Sequence, residues 1–191
     1  MPCDWPMDNQ LNEFDVSVVM PVSNGSNYMP LILKSIEDQT VLPREVVIID
    51  SRSVNDIASI IKNMNCRIPL IHKKIGLAYP GDARNLGAEM ASGKWIGFVD
   101  QSTIPENTWI EKCAEIVSGN EIDFVGGRTV FEANTCFQEL LRSTSYGCKS
   151  YGTLPGSIIK KEVFKKSEGF IPSIRSSEDI EWLERIKSMG F

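Results

Sequence analysis

Histidine is almost missing from this sequence: His72 is the single copy in 191 residues. A cluster of imidazoles around a metal is thereby excluded, and a lone histidine makes no metal site by itself. The five cysteines, Cys3, Cys66, Cys113, Cys136 and Cys148, are odd in number, widely spread and never spaced C-x-x-C. Neither a zinc site nor a disulfide framework is indicated, and reduced thiols in a cytoplasmic chain are expected. An excess of basic residues is lacking too. With 20 Lys and Arg against 25 Asp and Glu and a net charge of -5, the chain has no surplus from which to build the basic face of a sequence-independent nucleic-acid binder. No run approaches the ~18 uninterrupted apolar residues of a membrane helix. Met1 to Phe14 carries Asp4, Asp8 and Glu13 in place of a secretory apolar core. No span or export signal is expected, which leaves peripheral contact with a membrane open. Internal repeats, low-complexity tracts and linker-like shifts are absent as well, so one domain with one sizeable core is the default.

What is present is organised around Gly81 to Pro105, GDARNLGAEMASGKWIGFVDQSTIP. Asp82 is placed to cap a helix whose apolar side is Ala83, Leu86, Gly87, Met90 and Ala91, and Ser92-Gly93 is its stop. Trp95 to Val99, apolar throughout, predicts a strand buried on both faces that ends in the polar tip Asp100-Gln101-Ser102-Thr103. Ligands of open α/β sheets sit beyond the carboxyl ends of the strands, and Asp100 falls there. Ahead of this stretch, Val16 to Pro21 and Glu45 to Asp50 predict two more strands, and Pro69 to His72 a shorter third. Helices are expected over Tyr28 to Gln39 and, from a Ser53/Asp56 capping box, through Met64. Behind it, helices are expected over Glu106 to Val117, Lys161 to Lys166 and Ile180 to Met189, with a helix and loop across Asn134 to Tyr151. Ile122 to Val125 and Gly156 to Ile159 are the remaining strands. Strands alternating with helices predict a βαβ sheet with right-handed crossovers. The candidate strand ends are Pro21 to Asn24, Asp50, and Asp100 to Ser102.

Five blocks, VSVVMPVSN, EVVIIDSRS, the Gly81 to Pro105 stretch, PGSIIKKEVFKKSEGF and SSEDIEWLERIKSMGF, resemble in order and spacing those of family 2 glycosyltransferases of the GT-A fold. The resemblance covers about Val16 to Phe191. It implies a single α/β, Rossmann-like domain over residues 16–191, short at its C-terminal end, with residues 1–15 as an N-terminal extension. It also implies transfer of a sugar from a nucleotide-sugar donor to an acceptor hydroxyl of a glycan or lipid-linked molecule, with inversion. Pro21, Val22, Ser23, Asp50 and Arg84 are then expected to hold the nucleotide, and Asp100 and Ser102 to stand at the donor. Asp179 is expected to be the catalytic base, with Glu178 beside it.

The chain departs from that pattern at two acids. The D-x-D motif reads Asp100-Gln101-Ser102, and Ser51 follows Asp50 where a second acid is usual. A divalent cation, manganese or magnesium, is implied at Asp100, but a neutral hydroxyl is a poorer ligand for a hard cation than a carboxylate. Three arrangements stay open: metal held by Asp100, phosphate and water; neutralisation by Arg84, Arg52, Lys73 or Arg175; or a degenerate module that binds sugar nucleotide without turnover. Simpler readings of single residues stand beside these. Asp50 fits an Asx turn, Glu178 and Asp179 suit the first turn of a helix with Ser176 as part of a cap, and Arg84 suits a solvated helix face. His72 is expected at a strand end on the surface, Trp95, Trp109 and Trp182 in packing, and the pairs Lys160-Lys161 and Lys165-Lys166 on a wetted face.

Overall fold

A computed structural model describes residues 14–25, 27–146 and 151–191. Strands β1 (Val16–Val22), β2 (Glu45–Ser51), β3 (Leu70–Ile75), β4 (Trp95–Phe98), β5 (Phe124–Thr129) and β6 (Tyr151–Lys160) form a single sheet in the order β3-β2-β1-β4-β6-β5. Helices α1 (Met29–Glu37), α2 (Ile57–Asn63), α3 (Pro80–Met90), α4 (Trp109–Ser118), α5 (Cys136–Leu141), α6 (Lys161–Lys166) and α7 (Glu178–Ser188) flank it, and a π-helical turn, Arg142–Tyr146, continues α5. β1 to β4 pair in parallel, whereas β6 runs antiparallel to both neighbours. This is the expected single α/β domain with a mostly parallel sheet.

Right-handed crossovers explain the layering. The chain steps from β1 to β2 to β3 in one direction and then returns through α3 to β4 on the far side of β1, so α3 must cross the opposite face. Alternate residues of each strand divide accordingly. Val18, Met20 and Ile48 pack with Ile32, Leu33, Ile36, Ile57 and Ile110, whereas Val19, Val47, Ile49 and Phe98 pack with Ala83, Ala88, Phe164 and Trp182. The reversal of strand order opens a crevice between the carboxyl ends of β1 and β4, where such folds bind ligands.

Several boundaries move for local reasons. α3 begins at Pro80 with Tyr79 as its cap, because Pro suits a first turn, and Asp82 sits inside it, accepting from the Tyr79 N–H at 3.4 Å. α2 begins at Ile57, not after Ser53, because Asp56 itself accepts from the Ser59 N–H at 3.1 Å. β3 runs on to Ile75, and β5 runs through Gly126 and Gly127 with an irregularity there. β6 is 10 residues long, where only Gly156 to Ile159 is expected. The last two residues of the expected extension belong to the domain edge: Phe14 lies 5.4 Å from Trp95, ring centre to ring centre, and Asp15 pairs with Arg44 at 2.9 Å. The remainder of that extension, Ser26 in the first turn, and residues 147–150 of the expected loop lie outside the described residues, as do Cys3 and Cys148. Cys66, Cys113 and Cys136 are free thiols, and burial pushes Cys113 up to about 11. No helix among the described residues is long and apolar enough to cross a membrane.

Helix α3 lies close on β1 through Gly87. A β-carbon there would meet Val19 Cγ1 at 2.4 Å and Ile49 Cγ1 at 3.3 Å. Removing a glycine from a helix interior gains about 1 kcal/mol, but overpacking a core costs about 1–3 kcal/mol, so the clash wins. Gly87→Ala is expected to lower the unfolding free energy by up to about 2 kcal/mol in urea titration; a stabilised variant would contradict this packing.

Candidate active site

The tips of β1, β2 and β4 are brought level by the parallel register, in which Val22 lies opposite Asp50 and Val19 opposite Phe98. Pro21, Val22 and Ser23 end β1, and Ser23 is exposed. Its N–H donates to Gln101 Oε1 at 2.7 Å, which ties the β1 tip across the crevice to the turn after β4. Gly25 is needed at that contact, since a β-carbon would stand 2.5 Å from the same oxygen.

Arg84, one turn into α3, is 5% exposed and joins two carboxylates that are far apart in the sequence. Its Nη2 donates to Asp100 Oδ1 at 2.7 Å and its Nη1 to Glu178 Oε1 at 2.7 Å. Asp100 side-chain exposure is 31% and that of Glu178 is 6%, so one acid opens to solvent while the other is sealed. Arg84 is therefore no solvated helix residue, and its guanidinium is turned onto acids. Phe170 lies beneath it, with the guanidinium carbon 5.7 Å from the ring centre.

The segment that carries Glu178 and Asp179 is fixed by groups that sequence reasoning passes over. Asn85 accepts from the Phe170 N–H at 2.9 Å and donates to its carbonyl at 2.8 Å, a two-point clasp on the backbone. Asp82 accepts from the Ser173 N–H at 3.1 Å. Phe98, Phe164, Phe170 and Trp182 pack on one another in tilted and edge-on pairs, Phe170 and Trp182 with ring centres 5.0 Å apart, and the Trp182 indole donates to Ser167 at 2.9 Å. Gly81 admits the first turn of α7, since a β-carbon there would sit 3.1 Å from Glu178 Cγ. The helix is entered through Ser177 at φ 67° with no side-chain cap, so the expected Ser176 cap is not formed. Half-buried Asp179 accepts from the Ile180 N–H at 3.0 Å.

Asp50 is 1% exposed. One oxygen accepts from the Ser53 N–H at 3.0 Å, three residues on where an Asx turn bonds the second, and the other faces His72 Nε2 at 3.6 Å. His72 is thus a half-buried strand residue beside Asp50, not a surface strand end, because β3 extends past it. Ser51 donates to the Ala78 carbonyl and accepts from its N–H, both at 2.9 Å, pinning the loop into α3. Ser102 is exposed. Trp95, Trp109 and Trp182 are all in the core. Lys165 and Lys166 are wetted, whereas Lys160 pairs with Asp123 and Lys161 bonds the Ala91 carbonyl at the end of α3. No group of three His, Cys, Asp or Glu converges among the described residues. Three buried side-chain atoms lack a hydrogen-bond partner there, Asp50 Oδ2, His72 Nε2 and Arg84 Nε, and all belong to this edge.

The profile of the family described as "Glycosyl transferase family 2" matches residues 17–177. The chain belongs to this family. The match ends one residue before Glu178. Among the relatives of this family 2 chain, Glycosyltransferase AglE of Haloferax volcanii is 24% identical over 190 residues, covering 92% of this chain and 62% of AglE. An uncharacterized glycosyltransferase of Rickettsia bellii is 31% identical over 147 residues, covering 76% and 21%. In fold it is similar to S. aureus TarS 1-349 in complex with UDP-GlcNAc, with a TM-score of 0.69 and 21% identity over 90% of this chain and 53% of that one. It is similar also to the mannosyltransferase PcManGT of Pyrobaculum calidifontis in complex with GDP-Man and Mn2+, with a TM-score of 0.70 and 18% identity over 99% and 56%. The chain spans less than two thirds of AglE and of these two solved enzymes.

Asn85→Ala would leave both polar groups of the Phe170 peptide unit unpaired in a part-buried place. A loss of about 2 kcal/mol of stability in urea titration is expected, with Asn85→Asp restoring part of it; a loss below about 0.5 kcal/mol would mean that water replaces the clasp.

Proposed function

We propose that this chain moves a sugar from a nucleoside diphosphate sugar to an acceptor hydroxyl with inversion at the anomeric carbon. The observation that carries the reading is Arg84 drawing Asp100, at the tip of β4, and Glu178, at the start of α7, into one site beside the β1–β4 crevice. Pro21, Val22, Ser23 and Asp50 line the nucleotide side, Asp50 by shaping the loop through Ser53. Asp100 stands at the donor diphosphate, and Ser102 lies next to it.

Asp179 is the base. The acceptor oxygen attacks the anomeric carbon as the bond to the diphosphate oxygen breaks. The proton passes to the carboxylate, a contribution of about 10²–10⁴ in rate. The leaving diphosphate takes the electron pair, and its charge needs compensation. The residues present do not fit a resident divalent cation: Arg84 holds one oxygen of Asp100, and Ser102 offers only a neutral hydroxyl. A glycan or lipid-linked acceptor suits the apolar margin of Val130, Phe137 and Leu140, exposed beyond the carboxyl end of β5. Free Cys66, Cys113 and Cys136 suit a cytoplasmic setting.

Release of nucleoside diphosphate from a panel of nucleotide sugars, with and without manganese or magnesium, tests the reading. Turnover is expected; binding without release under every condition would leave a sugar-nucleotide-binding module. Asp179→Asn is expected to cut release by at least about 10²-fold while nucleotide affinity by calorimetry changes less than about threefold, because the base acts on the acceptor. Equal loss of affinity would remove Asp179 from that role. Ser102→Asp is expected to raise nucleotide affinity in manganese over EDTA by about tenfold, against less than about threefold in the parent protein. No difference between them would take Ser102 out of the diphosphate's surroundings.

A further inference from the structure

We infer that Arg84 and Glu178 are positioning residues that hold the donor side and the base side of the site in fixed relation, and that Glu178 is not itself a base. The inference rests on the transferase reading above and assigns roles within it. Both terminal nitrogens of Arg84 are engaged, each at 2.7 Å, by acids that stand 78 positions apart in the chain (178 − 100). Glu178 is sealed, with 6% of its side chain exposed and one oxygen committed to Arg84. A base must meet the acceptor hydroxyl, and this carboxylate faces inward. Asp179, its neighbour, is half-buried and among the described residues bonds only an N–H of its own turn.

A planar guanidinium is the fitting group for such a link. Its fork meets two carboxylates at once and in fixed directions, which a flexible ammonium does not. Its carbon lies over Phe170, whose backbone is clasped by Asn85 from the next position of α3. The donor acid, the aromatic platform and the first turn of α7 thus all register against one turn of one helix.

The charges make the role measurable. The charged groups on the elements packed here are Asp82, Arg84 and Glu89 of α3, Asp100 beyond β4, Arg175 ahead of α7, and Glu178, Asp179, Glu181, Glu184, Arg185 and Lys187 of α7, with Glu181 and Arg185 paired at 2.8 Å. Arg84 with its two acids carries one net negative charge. Arg84→Gln leaves two, which disfavours ionisation of Asp179 and moves the acidic limb of kcat to higher pH. Glu178→Gln leaves none and moves the limb to lower pH. Opposite displacements of about half a unit or more are expected, and a merely structural role would produce neither.

Arg84→Lys keeps the charge but loses the fork. Its limb is expected to stay in place while kcat falls by about tenfold or more, and it serves where Arg84→Gln does not fold. Glu178→Gln is expected to retain at least about a tenth of kcat, against the near-complete loss in Asp179→Asn. An active parent protein whose limb stays put in the variants, or a Glu178→Gln as dead as Asp179→Asn, overturns the inference and leaves the transferase reading standing. A parent protein that releases no nucleoside diphosphate from any donor defeats that reading and the inference with it.

Discussion

One arginine side chain buried between two carboxylates is the constraint on which the rest of the site depends. Arg84 carries a charge that cannot be shed, in a place 5% exposed, so it requires acids close by. Buried ion pairs seldom add net stability, because desolvation offsets most of the attraction. Removing one member costs far more, about 3–5 kcal/mol, since the others are left uncompensated. What the arrangement secures is therefore geometry. A site assembled from a strand tip and a helix start needs some group that touches both, and here that group lies on a third element.

The strength of the link depends on how firmly its two ends are held. Asp100 follows Val99, which is fully buried, and Gln101 beside it is bonded to the tip of β1. Glu178 is carried by a segment with little regular structure between α6 and α7, which would drift without anchors. Four interlocked aromatic rings, the Trp182 to Ser167 bond, the Asn85 clasp and the Asp82 contact to Ser173 supply those anchors. Several are contributed by α3, whose close seat on β1 through Gly87 makes it the reference for both sides. The A-R-N run is thus read physically as one residue that packs, one that links acids and one that grips a backbone.

Much of the fold was legible because its signals are local. The apolar runs of β1, β2 and β4 and the spacing of α3 follow from burial on two faces and from helical periodicity, and the acids closing β2 and following β4 are read directly off the ends of those runs. What escaped was non-local. β6 reads as a four-residue strand because Pro155 interrupts its pattern, yet pairing of Tyr151, Gly152 and Thr153 with β5 carries it over 10 residues. His72 was placed at a surface because β3 was expected to end there, and the longer strand puts it against Asp50. Asn85 and Gln101 gave no sign, since an amide one position from a charged residue looks like any solvated polar group until its partner 78 or 85 positions away is known.

The two missing acids have different explanations, and the difference bears on the chemistry. Ser51 is occupied: it bonds the Ala78 peptide on both sides, so a hydroxyl there holds the loop that delivers α3. Ser102 is exposed and makes no such bond among the described residues, so the departure there leaves a neutral hydroxyl at the turn after β4. The buried atoms without partners, Asp50 Oδ2, His72 Nε2 and Arg84 Nε, lie around the same edge, and each unmade bond costs on the order of 1–3 kcal/mol. Native cores rarely tolerate such deficits away from sites of function. Two of the three face each other, His72 Nε2 standing 3.6 Å from Asp50 Oδ2, and the third is on the guanidinium that joins Asp100 to Glu178, so the deficit is confined to the edge where the strand tips meet.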